Sequence, residues 1–564
     1  MHHHLSLRSK VIILVSVLAS MFLVALDQTI IATALGKIVE EFNAFESLSW
    51  IVTAYLLTTT VTVPIAGKLS DLFGRRTLLL IGVGIFALGS LLSGLAGNVN
   101  ELIYARAFQG IGGGIITANA FTIIGDLFAA RERGKWQGMF GAVFGLSSII
   151  GPLLGGWLTD GQAIFGLTTD WRWTFFINVP IAIVAFILIA IYCPSLRRDK
   201  RPVIDYAGAT ILTIGLATLV LAVDNTEQIF KGFLDATGWS LLGLRVVMYS
   251  IVALCIATFI MIERRAKDPT LPLRFFENRN FVRIMGIATL FGGAFMGSIL
   301  YLTQFNQQVF GATPTESGLM LLPMIGGLMT TSIISGRMIS KTGRYKIFMQ
   351  VGIVVATVMI VLLSLLTPES SYAYEAIIMV FLGAGLGVVM PVMNLAVQNE
   401  FQQRDIGVAT SSSQLFRSLG STVGVAVFGA MLTAGLASGL GSNLVQTDAY
   451  IQSLASSPAA SKLGDLTDSN TLLNINMPET KQAITSAFEE SIASLPADAK
   501  ANARATFLEN QSTYASKVTH SFASSLHTIF LVSSILMAIA AVLVFSIKEK
   551  PLHKASEKEA PGIA

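Results

Sequence analysis

The chain has 564 residues and a formal net charge of +4; 53% of its residues are hydrophobic, 50 more are glycine, and only 13% are charged. Soluble domains carry about 25% charged residues, and a mean hydropathy of +0.67 over this length leaves more apolar surface than a water-facing protein can bury. Most soluble-enzyme and nucleic-acid-binding readings are excluded, and an all-α polytopic membrane protein is expected.

Crossing about 30 Å of hydrocarbon takes about 20 helical residues. Apolar runs of that length predict fourteen transmembrane helices, at 11–35, 48–70, 77–97, 101–126, 136–160, 173–193, 205–224, 243–262, 282–307, 317–338, 347–366, 375–397, 407–436 and 521–546. Their lengths rule against barrel strands, which show about ten alternating residues. The first run is long, lacks a small-residue cleavage site and carries Asp27, so it is not expected to be a cleaved signal peptide. An even number of spans puts both termini on one side. Placing them inside gathers most of the 38 Lys and Arg into inner loops, among them Lys68, Arg75 and Arg76, the run Arg197, Arg198, Lys200 and Arg201, Arg404, and Lys548 to Lys558. That is the positive-inside pattern, and it predicts cytoplasmic termini with a tail at 547–564.

Residues 437–520 are too polar to span and fall on the outer side. Ile484, Phe488, Ile492 and Leu495 recur there at helical spacing between Pro478 and Pro496. An amphipathic helix on the outer face, a loop with partial helix, and a lid over the substrate path all fit that pattern. Cys193 and Cys255 lie in or beside apolar runs, so neither a metal cluster nor a disulfide scaffold is expected. No cofactor is expected.

In chain order, Asp27 is the first candidate functional residue. It lies about 6–10 Å below the outer face, in the first span. An acid in lipid is costly and must face the bundle interior or a wet cavity, where it suits a proton carrier or a contact for a cationic substrate. Gln28 follows it. Gly67, Asp71, Gly74, Arg75 and Arg76 form a loop cassette between spans two and three, and a related cassette recurs at Gly336–Arg344, so the chain is internally duplicated. Arg106 in span four lies about 8 Å below the outer face, at a depth where direct or water-bridged coupling to Asp27 is geometrically allowed. Gly110, Gly112, Gly113 and Gly114 follow it and let helices approach closely. Gly145, Gly151, Pro152, Gly155 and Gly156 line one face of span five and suit a rocking interface. With Gln28, further cavity candidates are Asn119, Asp224, Gln304, Asn306, Asn394, Gln398, Gln414 and Arg417, of which Gln304 and Asn306 suit the cavity mouth; Gln307 is a further polar candidate.

These residues together resemble the major facilitator superfamily, in its fourteen-span drug:proton antiporter branch. Residues 67–76 are similar to the superfamily signature between spans two and three, and Arg106 with Gln109-Gly110 to the fourth-span motif whose arginine is associated with proton transfer. Gly145 to Gly156 is similar to the antiporter motif, and Leu26-Asp27-Gln28-Thr29-Ile30 with Ala34-Leu35 to the branch's first-span motif, whose acid is implicated in coupling. Two features depart from the pattern: Gly36-Lys37 stands where the motif continues into Pro, and the second cassette has Ser340 where the first has Asp71.

The resemblance implies two six-helix bundles, at 11–193 and 282–546, with two helices inserted at 205–262. It implies a non-enzymatic, multi-pass protein of the bacterial plasma membrane. The expected activity is proton-coupled antiport exporting hydrophobic, cationic drugs or toxic compounds, a multidrug efflux and antibiotic-resistance function. Asp27 and Arg106 are the expected coupling pair. Protons, cationic small molecules and membrane lipids are the expected partners, nucleic acid is not, and a monomer is expected. A lipid exporter and a specific metabolite or antibiotic exporter of the same fold stay open; a receptor or scaffold would show no substrate-dependent proton flux.

Overall fold

A computed structural model of the chain describes residues 6–42, 48–159, 161, 163–164, 167–193, 205–223, 226–312, 314–402, 405–440, 448–455, 466, 471–472, 475–476, 478–493 and 496–552. Asp224, Leu495, Arg404, the basic run Arg197 to Arg201, and Lys554 and Lys558 lie outside the described residues. Fourteen long helices follow the predicted order. In the first half they are α1 Leu7–Phe42, α2 Leu48–Phe73, α3 Arg75–Leu95, α4 Val99–Leu127, α5 Ala130–Thr159 and α6 Trp173–Tyr192. α7 Tyr206–Val223 and α8 Leu241–Glu263 follow. The rest are α9 Arg279–Gln308, α10 Leu322–Thr342, α11 Lys346–Ser364, α12 Tyr372–Glu400, α13 Ile406–Leu440 and α14 Ala497–Ser546.

Thirteen of them are long and apolar enough to cross a membrane. The exception is α10, predicted at 317–338. It starts later, at Leu322 with Pro323 in its first turn, after a separate short helix Pro314–Met320. Its lower apolarity comes from Gly326, Gly327, Thr330, Thr331, Ser332, Ser335 and Gly336, of which Gly327, Thr331, Ser332 and Gly336 contact neighbouring helices.

α1 to α6 pack among themselves, as do α9 to α14, and α7 packs on α8. α5 meets α10 and α2 meets α13, so the second helix of each bundle faces the fifth of the other. α7 leans on the α2–α13 seam, where Val61, Leu216 and Leu415 share an apolar cluster.

The largest correction concerns 437–520 and the last span, predicted at 521–546. α14 begins at Ala497 and runs unbroken for 50 residues, so its first half projects beyond the membrane on the face opposite the termini. Helices Ala449–Ala455 and Pro478–Ser491 pack against that projection. Tyr450, Ile451, Leu454, Ile484, Phe507, Tyr514 and Val518 are buried together there. Phe488 stacks on Phe507 with ring centroids 3.9 Å apart, and Lys517 Nζ donates to Asp448 Oδ2 at 2.8 Å. The periodic apolar residues at 484 and 488 thus face a small protein core, not a lipid surface. Asn476 Nδ2 donates to Gln308 Oε1 at 3.0 Å and ties this cap to the end of α9.

Truncating Phe507 to Ala should remove about 3–5 kcal/mol of packing, a large share of what so small a core holds. Limited proteolysis should then cut within 448–518 at lower protease while the membrane helices stay protected; unchanged protection would show the cap is held by something other than this cluster.

Candidate functional site

α1 is buried without a break from Leu23 to Asp27 and again at Ile30, Ile31 and Ala34, and Asp27 has no exposed surface. α4 meets it there. The α4 glycines admit its neighbours: a Cβ on Gly112 would lie 2.5 Å from the Phe86 nitrogen, and one on Gly110 2.5 Å from the Tyr55 carbonyl. α2 therefore lies close enough for the Tyr55 ring to sit 4.3 Å from the Arg106 guanidinium carbon. Arg106 is 1% exposed.

Arg106 Nη1 donates to Asp27 Oδ2 at 2.5 Å and to Gln109 Oε1 at 2.8 Å. Gln109 Nε2 donates to Asp27 Oδ1 at 2.8 Å, and Asn178 Nδ2 on α6 reaches the same oxygen at 3.3 Å. Asn178 Nδ2 also donates to Ser90 Oγ at 3.1 Å, and Ser90 Oγ to the Phe175 carbonyl at 2.9 Å. Both carboxylate oxygens are thus hydrogen-bonded inside the first bundle. Breaking one side of such a buried pair costs about 3–5 kcal/mol, because the other charge is left unanswered. Of the two settings expected for Asp27, the bundle interior is the one found in this conformation. Gln28 beside it is exposed.

At the far end of α1, Glu41 accepts from Trp171 Nε1 at 2.6 Å and Arg172 Nη2 at 2.8 Å. The Arg172 hydrogen bond holds the Glu41 carboxyl below its ordinary value. The clasp is complete above the ordinary carboxylate range and is lost as pH falls through that lowered value.

Between the bundles the polar candidates separate into two groups. Gln398 on α12 accepts from Gln137 Nε2 at 2.9 Å and donates to the Phe121 carbonyl at 3.0 Å and Thr410 Oγ1 at 3.2 Å, joining four helices. Gln414 Nε2 donates to Asn394 Oδ1 at 3.3 Å, and Gln414 Oε1 accepts from Arg417 Nη2 at 2.7 Å. Asn119 Nδ2 bonds its own helix at Ile115, and Gln304 is half-buried. Asn306 is buried. An apolar gap at the interface is lined by Phe121, Phe140, Phe291, Phe295 and Met390.

The termini-bearing face is closed by the two cassettes. Gly74 and Gly343 both take positive φ, 92° and 74°, and turn the chain at equivalent places. Arg75 pairs with Asp71 and, at 2.8 Å, with Asp126, while Arg76 Nη2 donates to the Ala190 carbonyl at 2.5 Å. Asp71 Oδ2 accepts from the Val408 backbone N–H at 3.1 Å, across the bundle boundary. From the other side Arg131 Nε donates to the Ser340 carbonyl at 2.7 Å, and Nη2 to that of Lys341. Gly67 packs on Ser411. On α5, Gly145 faces Met329 of α10 while Gly151 faces Thr29 of α1; Gly155 is buried, and Gly156 has open space beside it. The expected single rocking face is therefore divided between two partners. Pro152 lies within the helix, and Ser332 Oγ extends the seam by donating to the Gly138 carbonyl at 2.8 Å.

Sequence reasoning had not singled out Tyr55, Ser90, Asn178 or Gln137 as site residues. Asn178 alone carried a signal, an amide at the head of a strongly apolar run. Asp224 lies outside the described residues.

Residues 17–425 match the family model described as Major Facilitator Superfamily. The chain is similar to Multidrug transporter protein MdtP of Bacillus subtilis, 35% identical over 555 residues, which is 97% of this chain and 94% of that protein. It is also 35% identical over 456 residues to Multidrug resistance protein 3 of Bacillus subtilis, covering 80% of this chain and 85% of that one. Among solved structures, the proton:xylose symporter XylE superposes with a TM-score of 0.57 at 14% identity, over 96% of this chain and 97% of that chain. The human organic anion transporter MFSD10 does so with a TM-score of 0.55 at 13% identity, over 93% and 99%. At those identities the likeness is one of fold.

Replacing Asp71 with Ala removes a charge-assisted hydrogen bond, worth about 1.5–3 kcal/mol, from the closed face. In a variant without Cys193 and Cys255, a cysteine placed at buried Ser335 should then react with maleimide on the order of tenfold faster or more. Equal labelling with and without Asp71 would show that the contact does not hold this face shut.

Proposed function

We propose that this chain, which belongs to the major facilitator superfamily, is a proton-coupled antiporter that exports hydrophobic, cationic drugs or toxic compounds. It acts in a bacterial plasma membrane, as a monomer, with both termini in the cytoplasm. The names of its relatives from Bacillus subtilis support the substrate class. The concentration of Lys and Arg in the short loops on the termini's side supports the orientation.

The observation that carries the coupling mechanism is the buried Asp27–Arg106 pair. Three positive charges can satisfy one carboxylate: the guanidinium, a proton, or a cargo cation. Here Arg106 does so. A proton that takes its place cancels the charge that binds α1 to α4 and leaves Arg106 to Gln109 Oε1 and the Tyr55 face. Helix position and protonation are then linked, and the bundles rock about the α5–α10 and α2–α13 seams. The gradient suffices to drive export: one charge moved through 100 mV yields about 2.3 kcal/mol, and each pH unit adds about 1.4 kcal/mol per proton. The aromatic and Met side chains of the apolar gap offer a pliable lining to flat hydrophobic cargo.

Asp27→Asn should insert into the membrane yet lose pH-driven export of ethidium from proteoliposomes, and Arg106→Ala should lose coupling as well. Normal pH-driven export by Asp27→Asn removes Asp27 as the coupling acid. Lipid transfer by wild type, without dye efflux in the same vesicles, favours a lipid exporter.

A further inference from the structure

A second acid is buried in the other bundle and has no part in the mechanism above. Glu375, in the first turn of α12, has no exposed surface, and neither carboxylate oxygen is hydrogen-bonded among the described residues. Its polar neighbour is Asn306 of α9, equally buried, with neither amide atom hydrogen-bonded among the described residues. Phe305, Ile378 and Met379 beside them in sequence belong to the apolar core of the second bundle. The titratable group that its charge reaches is Tyr372. Glu369 and His520 lie at the surface and face each other at 3.5 Å.

The placement follows the duplication. α9 and α12 are the first and fourth helices of their bundle, as α1 and α4 are of theirs. Each bundle therefore buries a polar pair between its first and fourth helices: Asp27 with Arg106, and Asn306 with Glu375. In the second pair the acid has moved to the fourth helix, and no cation answers it among the described residues. An ionised carboxylate buried without a partner costs several kcal/mol, whereas a neutral acid needs only one hydrogen-bond acceptor for its O–H. The Asn306 amide oxygen is free to be that acceptor.

We propose that Glu375, held against Asn306, is a second proton-binding site, so that each transport cycle carries one proton beyond the one assigned to Asp27. The step is a simple protonation: the carboxylate holds one proton while it is buried and gives it up to water when the adjoining ends of α9 and α12 open, the rest of the bundle staying packed. The proposal rests on the proton-coupled reading above.

Proton release on ethidium binding, followed with a pH indicator on purified full-length protein in detergent, tests it. Wild type should release more protons per bound dye than Glu375→Gln, by one. Glu375→Asp, which keeps a carboxyl at this position, should release the wild-type number, a restoration that separates the carboxyl's proton from a folding defect of Glu375→Gln. Equal release by wild type and Glu375→Gln, or no more release by Glu375→Asp than by Glu375→Gln, overturns the second site and leaves the first standing. No release from wild type removes the proton-coupled reading, and this proposal with it.

Discussion

A charge in hydrocarbon has no water to answer it, so it must be answered by another group of the protein. The Asp27–Arg106 pair meets that requirement with both partners fully buried and with Gln109 and Asn178 on the remaining lone pairs. Much of the first bundle is arranged around it. The α4 glycines exist at the close approaches that bring Tyr55 over the guanidinium, and the head of α6 supplies Asn178, itself oriented by Ser90. An interaction so costly to break from one side, and so easily replaced by a proton, suits a switch better than a permanent brace. A hydrophobic pair of the same size would stabilise the bundle as well or better.

The bundles meet through small residues rather than interlocking large ones. Along the α5–α10 seam, Gly138 and Gly141 meet Ser332, and Gly134 meets Gly336. A Cβ on Gly138 would stand 2.3 Å from the Ser332 carbonyl oxygen, so the backbones touch and can slide without extracting side chains from pockets. Smooth surfaces of this kind let a rigid-body motion cost little, while the cores on either side stay packed. Among the described residues the cap is fastened to α9 and α14 of the second bundle.

Much of this was legible in the sequence because a membrane simplifies it. Hydrocarbon thickness sets span length, so the order of all fourteen helices could be read, and the fixed Gly and Arg spacing exposed the duplication. Asp27 and Arg106 stood out because charge there is rare. Other features depended on partners far along the chain. Nothing near Asn178 indicates that its amide would meet an acid 151 positions away. Glu375 sat on a predicted span boundary, where an acid draws no notice. The first half of α14 reads as polar loop because its helix is held by the cap core rather than by lipid, and α10 hides its depth because its small polar residues face protein.

The two cassettes show how duplicated sequences diverge without losing a shared physical task. In the first, Asp71 presents a carboxylate to the Val408 N–H in the first turn of α13, an anion at the positive end of a helix. In the second there is no aspartate, and the equivalent contact is inverted: Arg131 presents a guanidinium to the Ser340 and Lys341 carbonyls in the last turn of α10, a cation at the negative end. Both contacts draw on the helix dipole, which favours each sign at its own terminus. The loss of the acid from the second cassette therefore does not leave that side without a charged contact, because the opposite bundle supplies the charge. The closed face is held by two contacts of opposite polarity, and each joins a helix end to a residue from the other bundle. Neither can form unless the bundles are together, so forming one brings the partners of the other within reach.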